Sequence, residues 1–468
     1  MLKKLKKVML SGAECLPIVE GSKGIGFSNW LTAGSFARRG AVGVFSGVNP
    51  DAVDDNGEVV PMIFKSKIRF ERYQEMIENS IKGIISQAKR AKDLAGNFGR
   101  IHVNVLWEMG GTERILNEAL GRVRGLINGI VCGAGMPYRL GDIAAKYKVY
   151  YYPIVSSMRA FRALWARSFQ RTKEWLGGIV YECPWRAGGH NGLTNSEDPN
   201  VPQDSYQRIS ELRAYMNSVG LENTPIIIAG GVWNIAEYEH YLDNPEIGLV
   251  AFQFGTRPMV VKESPVSDRL KQILLNLKEG DIKTNRFSPT GFYSSAANNT
   301  LLRELFARSD RQIPFSGVKN EDFSEELICG KNASKFYIRA GDGEKARSWI
   351  GEGREEAVKT PDGMLVFLRP ETAKELKEDL AACHGCLSQC IFSGWSQNAD
   401  AGYSTGKIPD FRYFCIQKAL QNAKNDVNIE KQLLFSGNNG FRFAQDPLYK
   451  NNHIPTISEL VDVLLEGK

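Results

Sequence analysis

The chain has 468 residues, of which 43% are hydrophobic and 24% charged, with a formal net charge of +6. This is the composition of a globular chain of about two or three domains, not of a disordered or collagen-like one. The charge is too small and too dispersed for a nucleic-acid binder, and no run approaches the roughly 18 apolar residues that a membrane span needs.

The start, Met1-Leu2-Lys3-Lys4-Leu5-Lys6-Lys7, has the charge of a signal n-region, but the apolar run after it, Val8-Met9-Leu10, is too short and breaks at Ser11-Gly12. Of the eight cysteines, three crowd at 383, 386 and 390. That crowding points to a metal site in a reducing compartment rather than to a disulfide framework. A cytoplasmic location is expected.

Strand-like and helix-like runs then alternate. The strands predicted are 16–20, 41–46, 100–106, 129–133, 149–156, 178–182, 225–229 and 249–254. The helices are 28–39, 69–94, 112–125, 140–147, 157–172, 203–219, 234–242 and 266–277. In the second of these Tyr73, Ile77, Ile81, Ile84 and Ala88 share one face at helical spacing. Eight strands, each followed by a helix, predict a TIM (β/α)8 barrel; a doubly wound open sheet uses the same alternation and stands as the alternative. Residues 279–300 are polar and turn-rich, residues 301–376 are mixed and charged, and an amphipathic helix over 457–465 closes the chain. The expected division is a barrel over 1–296, an inserted α+β subdomain over 297–376 and a metal-binding C-terminal region over 377–468.

The chemistry is expected around Arg186-Ala187-Gly188-Gly189-His190-Asn191-Gly192, directly after the apolar run Ile179-Val180-Tyr181-Glu182. Gly188 and Gly189 would let backbone approach a flat ligand. His190, one of only five histidines, can exchange a proton near neutral pH. Strands seven and eight end in Ala229-Gly230-Gly231 and Gln253-Phe254-Gly255-Thr256-Arg257. Side by side at the C-terminal face, these loops would cradle the terminal phosphate of a mononucleotide cofactor; otherwise their glycines are tight turns only. Glu20-Gly21-Ser22-Lys23-Gly24-Ile25-Gly26, His102-Val103-Asn104 and Cys132-Gly133-Ala134-Gly135 would rim the same mouth. Gly24, Gly26, Gly133 and Gly135 leave room for a large flat ring, and the Asn104 amide can bond its edge. Ser156 and Gln253 complete the expected cofactor set.

These motifs resemble the nitronate monooxygenase (2-nitropropane dioxygenase) superfamily of FMN-dependent TIM barrels. The resemblance rests on Gly24-Ile25-Gly26-Phe27-Ser28-Asn29-Trp30, Gly133-Ala134-Gly135-Met136-Pro137, Gly188-Gly189-His190, and Ala229-Gly230-Gly231 with Gly255-Thr256-Arg257, over about residues 12–296. It implies FMN as cofactor and His190 as general base.

Cys383-His384-Gly385-Cys386-Leu387-Ser388-Gln389-Cys390 is a C-x2-C-x3-C run, with Cys415 the next cysteine. The spacing suits a [4Fe–4S] cluster, and four cysteines also suit structural zinc. A flavin's need for a one-electron outlet favours the cluster. Cys415 is the expected fourth ligand and Cys329 its rival. His384 is read as exposed rather than ligating, and Cys15, Cys132 and Cys183 as small buried hydrophobes.

With this tail the chain is similar to one subgroup, the bifunctional acyl-carrier-protein dehydrogenase/isomerase (FabX type) of bacterial unsaturated fatty acid synthesis. The matching stretches are the cysteine run, Tyr413-Phe414-Cys415-Ile416, Phe435-Ser436-Gly437-Asn438-Asn439-Gly440-Phe441-Arg442, Ser288-Pro289-Thr290-Gly291-Phe292 and the closing helix. The resemblance implies 2,3-dehydrogenation of a saturated acyl thioester, carried on acyl carrier protein or coenzyme A, with trans-2/cis-3 isomerisation. It also implies electron exit to dioxygen or another acceptor, and a homodimer. Residues 301–376 have no counterpart in that subgroup, and Glu20, Ser22 and Lys23 replace the family's usual Gln, Gly and Met. A cation at Lys23 leaves flavin potential and reaction direction open. Three alternatives remain: a nitronate monooxygenase using dioxygen, an NAD(P)H-dependent enoyl reductase, and a flavin-binding redox sensor that docks through residues 301–376.

Overall fold

The computed structural model describes residues 5–397 and 408–467; residues 1–4 of the lysine-rich start lie outside them. The eight expected strands are β1 (Ile18–Glu20), β2 (Val42–Ser46), β3 (Arg100–Leu106), β4 (Gly129–Gly133), β5 (Tyr150–Val155), β6 (Ile179–Glu182), β7 (Ile226–Ala229) and β8 (Val250–Phe254). They close into one parallel barrel in the order β6-β7-β8-β1-β2-β3-β4-β5, which excludes the open sheet. Strand side chains alternate in and out. Val19, Val44, Val131, Val180, Ile227 and Ala251 fill the barrel interior. Their neighbours Ile18, Phe45, Ile130, Ile179, Ile226 and Phe252 belong to the core shared with the surrounding helices.

Those helices begin with α1 (Trp30–Arg38), where Asn29 and Thr32 form a capping box, and α2 (Arg69–Ala95), α3 (Thr112–Arg122) and α4 (Leu140–Tyr147) follow. α5 (Met158–Arg167) stops short of the expected end, and the chain goes on as a 3-10 segment, Phe169–Trp175. α6 (Ser205–Ser218) and α7 (Asp268–Leu275) match expectation. The helix expected over 234–242 is a 3-10 segment, Ile235–Tyr241, that leaves helical geometry at Tyr238. Tyr238, His240 and Tyr241 pack their rings on one another there, and seven residues are too few to hold a regular helix against that packing.

The closeness of α1 to the barrel depends on Gly43 in β2. A Cβ there would lie 1.8 Å from the Ala33 carbonyl oxygen. Gly43→Ala is therefore expected to cost roughly 3 kcal/mol or more, read as a lower melting temperature.

The far end of the barrel is plugged by an antiparallel hairpin, Val8–Leu10 with Ala13–Cys15, whose Val8, Leu10 and Cys15 join the interior cluster. Ser11 Oγ lies 2.9 Å from His102 Nε2 and 2.8 Å from the Tyr152 hydroxyl. His102 thus belongs to the N-terminal plug and not to the mouth, where the sequence reading placed it. Burial pushes its pKa down to about 3, so it stays neutral.

The stretch expected to be turns after α7 is a hairpin, β9 (Ile282–Asn285) with β10 (Ser294–Ala297). β10 also pairs with the two-residue strand Gly189–His190, in the register His190 opposite Ser294. α8 (Thr300–Asp310) leads into β11 (Gln312–Ser316), β12 (Glu325–Cys329), β13 (Ser334–Ile338), β14 (Glu356–Lys359) and β15 (Met364–Leu368). These form one antiparallel sheet, in the order β12-β13-β11-β15-β14. With α9 (Gly343–Gly351) the sheet has its own core around Leu327, Phe336, Ile338, Leu365 and Phe367. α10 (Pro370–Ala381) returns the chain to the cysteine run. α11 (Ile416–Lys424) and the closing α12 (Ile457–Glu466) bury Ile416, Leu420, Leu460 and Leu464 in the barrel's own core. Among the described residues no helix is long and apolar enough to cross a membrane.

Candidate active site

A cavity of about 590 Å³ opens at the C-terminal mouth of the barrel. The inward alternation of the strands supplies three polar groups to its lining: Asn104 of β3, Glu182 of β6 and Gln253 of β8. Asn104 donates from Nδ2 to the Val131 carbonyl at 3.4 Å, leaving Oδ1 free. The Glu182 carboxyl has no hydrogen-bond or ion-pair partner among the described residues, and burial alone pushes it up to about 8. It was missed as a site residue, although the inward placement of Val180 two positions earlier implies it.

That shift has a defined consequence. The folded chain holds the Glu182 proton to about pH 8, whereas an exposed carboxyl loses it near 4.5. The folded state therefore binds more protons between those values, and stability falls as pH rises through them. The melting temperature of Glu182→Gln minus that of the parent is expected to grow from pH 5 to pH 8 and then level off.

His190 is placed by the pairing of its short strand with β10. Its Nε2 lies 2.6 Å from Ser288 Oγ and 3.3 Å from Thr290 Oγ1, and those hydroxyls lie 2.8 Å from each other. Phe435 and Phe292 stand edge-on to the ring at 5.6 and 6.5 Å. Burial lowers the imidazole pKa to about 4, so the ring is neutral at pH 7. In the tautomer whose Nε2–H donates to Ser288, Nδ1 carries the ring's lone pair.

Two of the glycines answer to the chain's own crowding. A Cβ on Gly188 would lie 2.5 Å from Gly437 N, and one on Gly230 would lie 2.6 Å from the Cys183 backbone. Gly255 is different: nothing lies within 4 Å of its missing Cβ, so it leaves space at the rim. The loops after β6, β7 and β8 are tied together by the C-terminal segment. Gly437 N donates to Thr256 Oγ1 at 3.1 Å, Asn438 Nδ2 donates to the Trp185 carbonyl at 2.6 Å, and Asn439 Nδ2 donates to the Gly231 carbonyl. Arg257 turns away from the mouth to pair with Asp446 at 2.9 Å.

Gly24, Gly133, Gly135, Gly189, Gly231 and Ser156 also line the cavity, with Ser156 donating to the Gly192 carbonyl at 3.0 Å. Gly26 does not line it. Its missing Cβ faces the Asp51 carboxylate and Lys424 Nζ, and its φ of +70° marks a turn that glycine accommodates. Lys23 lines the cavity but donates to the Gly21 carbonyl at 2.7 Å, with Glu20 Oε1 3.7 Å away. Burial drives Glu20 up and Lys23 down, both toward their neutral forms.

Cys386 and Leu387 form part of the same lining. Burial raises the Cys386 thiol well above its usual value, and the charges of Cys415, Cys390 and Cys383 raise it further. Cys390 is pushed to about 11 and Cys415 to about 12, again by burial first. The four thiols therefore act on one another, and Cys415 occupies the N-cap position of α11 without a side-chain capping bond. Among the described residues no three or more His, Cys, Asp or Glu side chains are disposed to hold a metal ion. Cys329 lies in the core of the five-stranded sheet. His384 is half-buried rather than exposed, because its ring stacks on Phe64 at 4.6 Å.

No protein-family model matches the sequence, and no curated protein matches it. Among solved structures, nitroalkane oxidase from Streptomyces ansochromogenes aligns with a TM-score of 0.46 at 15% identity, over 62% of this chain and 78% of that one. The enoyl reductase domain of MlnA, from the macrolactin biosynthesis cluster of Bacillus amyloliquefaciens, aligns with a TM-score of 0.42 at 14% identity, over 65% and 70%. FabK from Thermotoga maritima aligns with a TM-score of 0.53 at 12% identity, over 96% of this chain and 92% of that one. At that identity the likeness is one of fold: this chain is built like FabK over nearly its whole length.

Proposed function

We propose that this chain is an FMN-dependent oxidoreductase that dehydrogenates a saturated acyl thioester between C2 and C3 and isomerises the product from trans-2 to cis-3. The observation that carries the reading is His190, a half-buried neutral imidazole held by Ser288 at the wall of a cavity rimmed by glycine loops.

The residues present fit FMN. Gly230-Gly231 and Gly255-Thr256 would hold its phosphate, where Gly255 leaves open space. Asn104 and Gln253, with the unpartnered Glu182 carboxyl, would meet the ring's polar edge. The four cysteines suit a [4Fe–4S] cluster better than zinc. The C-x2-C-x3-C spacing with Cys415 and the flavin's need for a one-electron outlet support that preference. When bound, FMN would supply a hydride acceptor and the cluster a one-electron outlet.

The chain's own part is the proton. The thioester carbonyl acidifies the α carbon, and His190 Nδ1 takes that proton. Ser288 fixes the ring's orientation, and Phe292 and Phe435 shield it from water. For isomerisation the imidazole, having first released the α proton to water, takes a proton from Cγ and returns it to Cα. The thioester would arrive on acyl carrier protein or coenzyme A, the electrons would pass to dioxygen or another acceptor, and the working unit would be a homodimer.

The test is a visible spectrum of anaerobically purified protein, before and after a saturated acyl thioester is added. The expected result is flavin plus iron–sulfur absorption, bleaching on addition, and 2-enoyl and cis-3-enoyl products by mass spectrometry. A colourless protein, or a flavin reduced by NADH and untouched by the thioester, would overturn the reading.

A further inference from the structure

Glu20 ends β1, and Lys23 follows it in the loop that lines the cavity. Lys23 Nζ lies 3.7 Å from Glu20 Oε1 and donates to the Gly21 carbonyl at 2.7 Å. Glu20 Oε2 accepts from Val44 N at 3.1 Å. The Glu20 side chain is fully buried and that of Lys23 is 15% exposed, so the lysine is the cavity side of the pair. Among the described residues that line the cavity the one other cation is Arg286, which is solvent-exposed and stands over the Tyr293 ring.

Barrel order places the pair. The strands run β8-β1-β2-β3, so the loop of Lys23 rises between the strand that carries Gln253 and the strand that carries Asn104. Both amides line the cavity. Glu20 and Lys23 also stand where the resembled family has Gln and Met. The two departures occur together and meet in the fold. A buried ion pair is a poor source of stability, because each charge gives up its hydration, and at 3.7 Å this one is not a tight bridge.

What the pair can do is electrostatic. Burial pushes Glu20 up and Lys23 down, and each charge opposes the other's shift, so one proton is held between the two groups. Negative charge arising in the cavity draws that proton onto Lys23 and leaves the Glu20 carboxylate behind it on the Val44 N–H. The field of a charge reaches past contact distance inside a protein, so Lys23 need not bond the ligand. In dehydrogenation the α proton goes to His190, and the β hydride goes to FMN with both its electrons. The bound flavin thereby gains one negative charge. A saturated acyl thioester is a weak reductant, so the reaction runs forward only where that charge is stabilised.

We propose that the Glu20–Lys23 pair raises the reduction potential of the bound flavin and so sets the direction of the reaction, toward dehydrogenation of acyl groups and away from reduction of enoyl ones. This rests on the acyl-thioester reading and adds what drives it forward.

The test is the midpoint potential of the FMN-loaded protein, read by equilibration with a reference dye, together with its affinity for sulfite, whose flavin adduct is also an anion. Glu20→Gln combined with Lys23→Met removes the pair without leaving one buried charge alone. That double variant is expected to shift the reduction equilibrium about tenfold toward oxidised flavin, about 30 mV for a two-electron couple, and to bind sulfite about tenfold more weakly. Glu20→Gln alone keeps the lysine and removes its counter-charge, so its potential should rise above the parent's. A double variant at or above the parent's potential would overturn the assignment, as would a Glu20→Gln potential at or below it. FMN lost from the double variant, with the potential of the retained flavin unchanged, would give the pair to cofactor holding and also overturn it. The single variant decides the matter if the double one does not fold. The acyl-thioester reading fails separately, if a saturated acyl thioester leaves the parent's flavin unbleached while the potential still differs between parent and double variant.

Discussion

Turnover of a saturated acyl thioester by His190→Ala is expected to fall by about 10²- to 10⁴-fold, with FMN retained and the melting temperature within a few degrees of the parent's. The geometry separates those outcomes. His190 is held in its short strand by backbone pairing with Ser294, which does not depend on the side chain. The ring contributes the proton acceptor, its bond to Ser288 and two edge-on contacts with phenylalanines. Alanine removes the base and leaves the strand. The parent's pH profile gives a second check. Burial lowers the imidazole pKa to about 4, so the form unable to accept a proton accumulates only as pH falls toward that value. The free-enzyme rate should therefore be flat across neutral pH and drop near 4, whereas an exposed histidine would put the drop near 6.5. Ser288→Ala keeps the base and releases the ring, so kcat should fall by about tenfold with KM little changed. Parent-like rates in His190→Ala would move the base elsewhere. Glu182 would then be the rival, as the one carboxylate lining the cavity among the described residues.

The barrel was legible because its strands are short apolar runs with helical runs between them, and that alternation is local. His190, the paired glycine loops and the cysteine run were legible for the same reason, since each is contiguous in the chain. What stayed hidden depends on contacts remote in sequence or on small buried residues. The β9–β10 hairpin buries Ser294, Ser295, Ala296 and Ala297, which carry no apolar signal, yet it sets the strand and the hydroxyls that hold His190. Asn49 and Gln417 meet across 368 positions, beyond the reach of any motif. Gly26 looked like a cavity glycine because Gly24 beside it lines the cavity, but its missing Cβ faces the Asp51 and Lys424 side chains instead. His102 was misplaced because strand membership does not say which end of the barrel a residue occupies, and only its contact with Ser11 does.

Cys386→Ser is expected to lose most of the protein's iron and its broad visible absorption beneath the flavin bands, and to melt several degrees lower. Cys386 is the most telling of the four cysteines because it alone lines the cavity while sharing charge with the other three. Without a cation, burial keeps Cys386, Cys390 and Cys415 protonated, each raised above its usual value. Binding iron requires thiolates, so the metal must supply the free energy to deprotonate them, and that same free energy then favours the folded chain. Serine keeps the volume but is a poor soft-metal ligand. FMN should stay bound to Cys386→Ser, because the glycine loops and floor amides lie on other strands. The variant's flavin should still be reduced by the thioester, yet it should be reoxidised more slowly by one-electron acceptors. Zinc in the parent protein, or iron and melting unchanged by the substitution, would remove the cluster from the proposal and leave the flavin to pass its electrons directly to an acceptor.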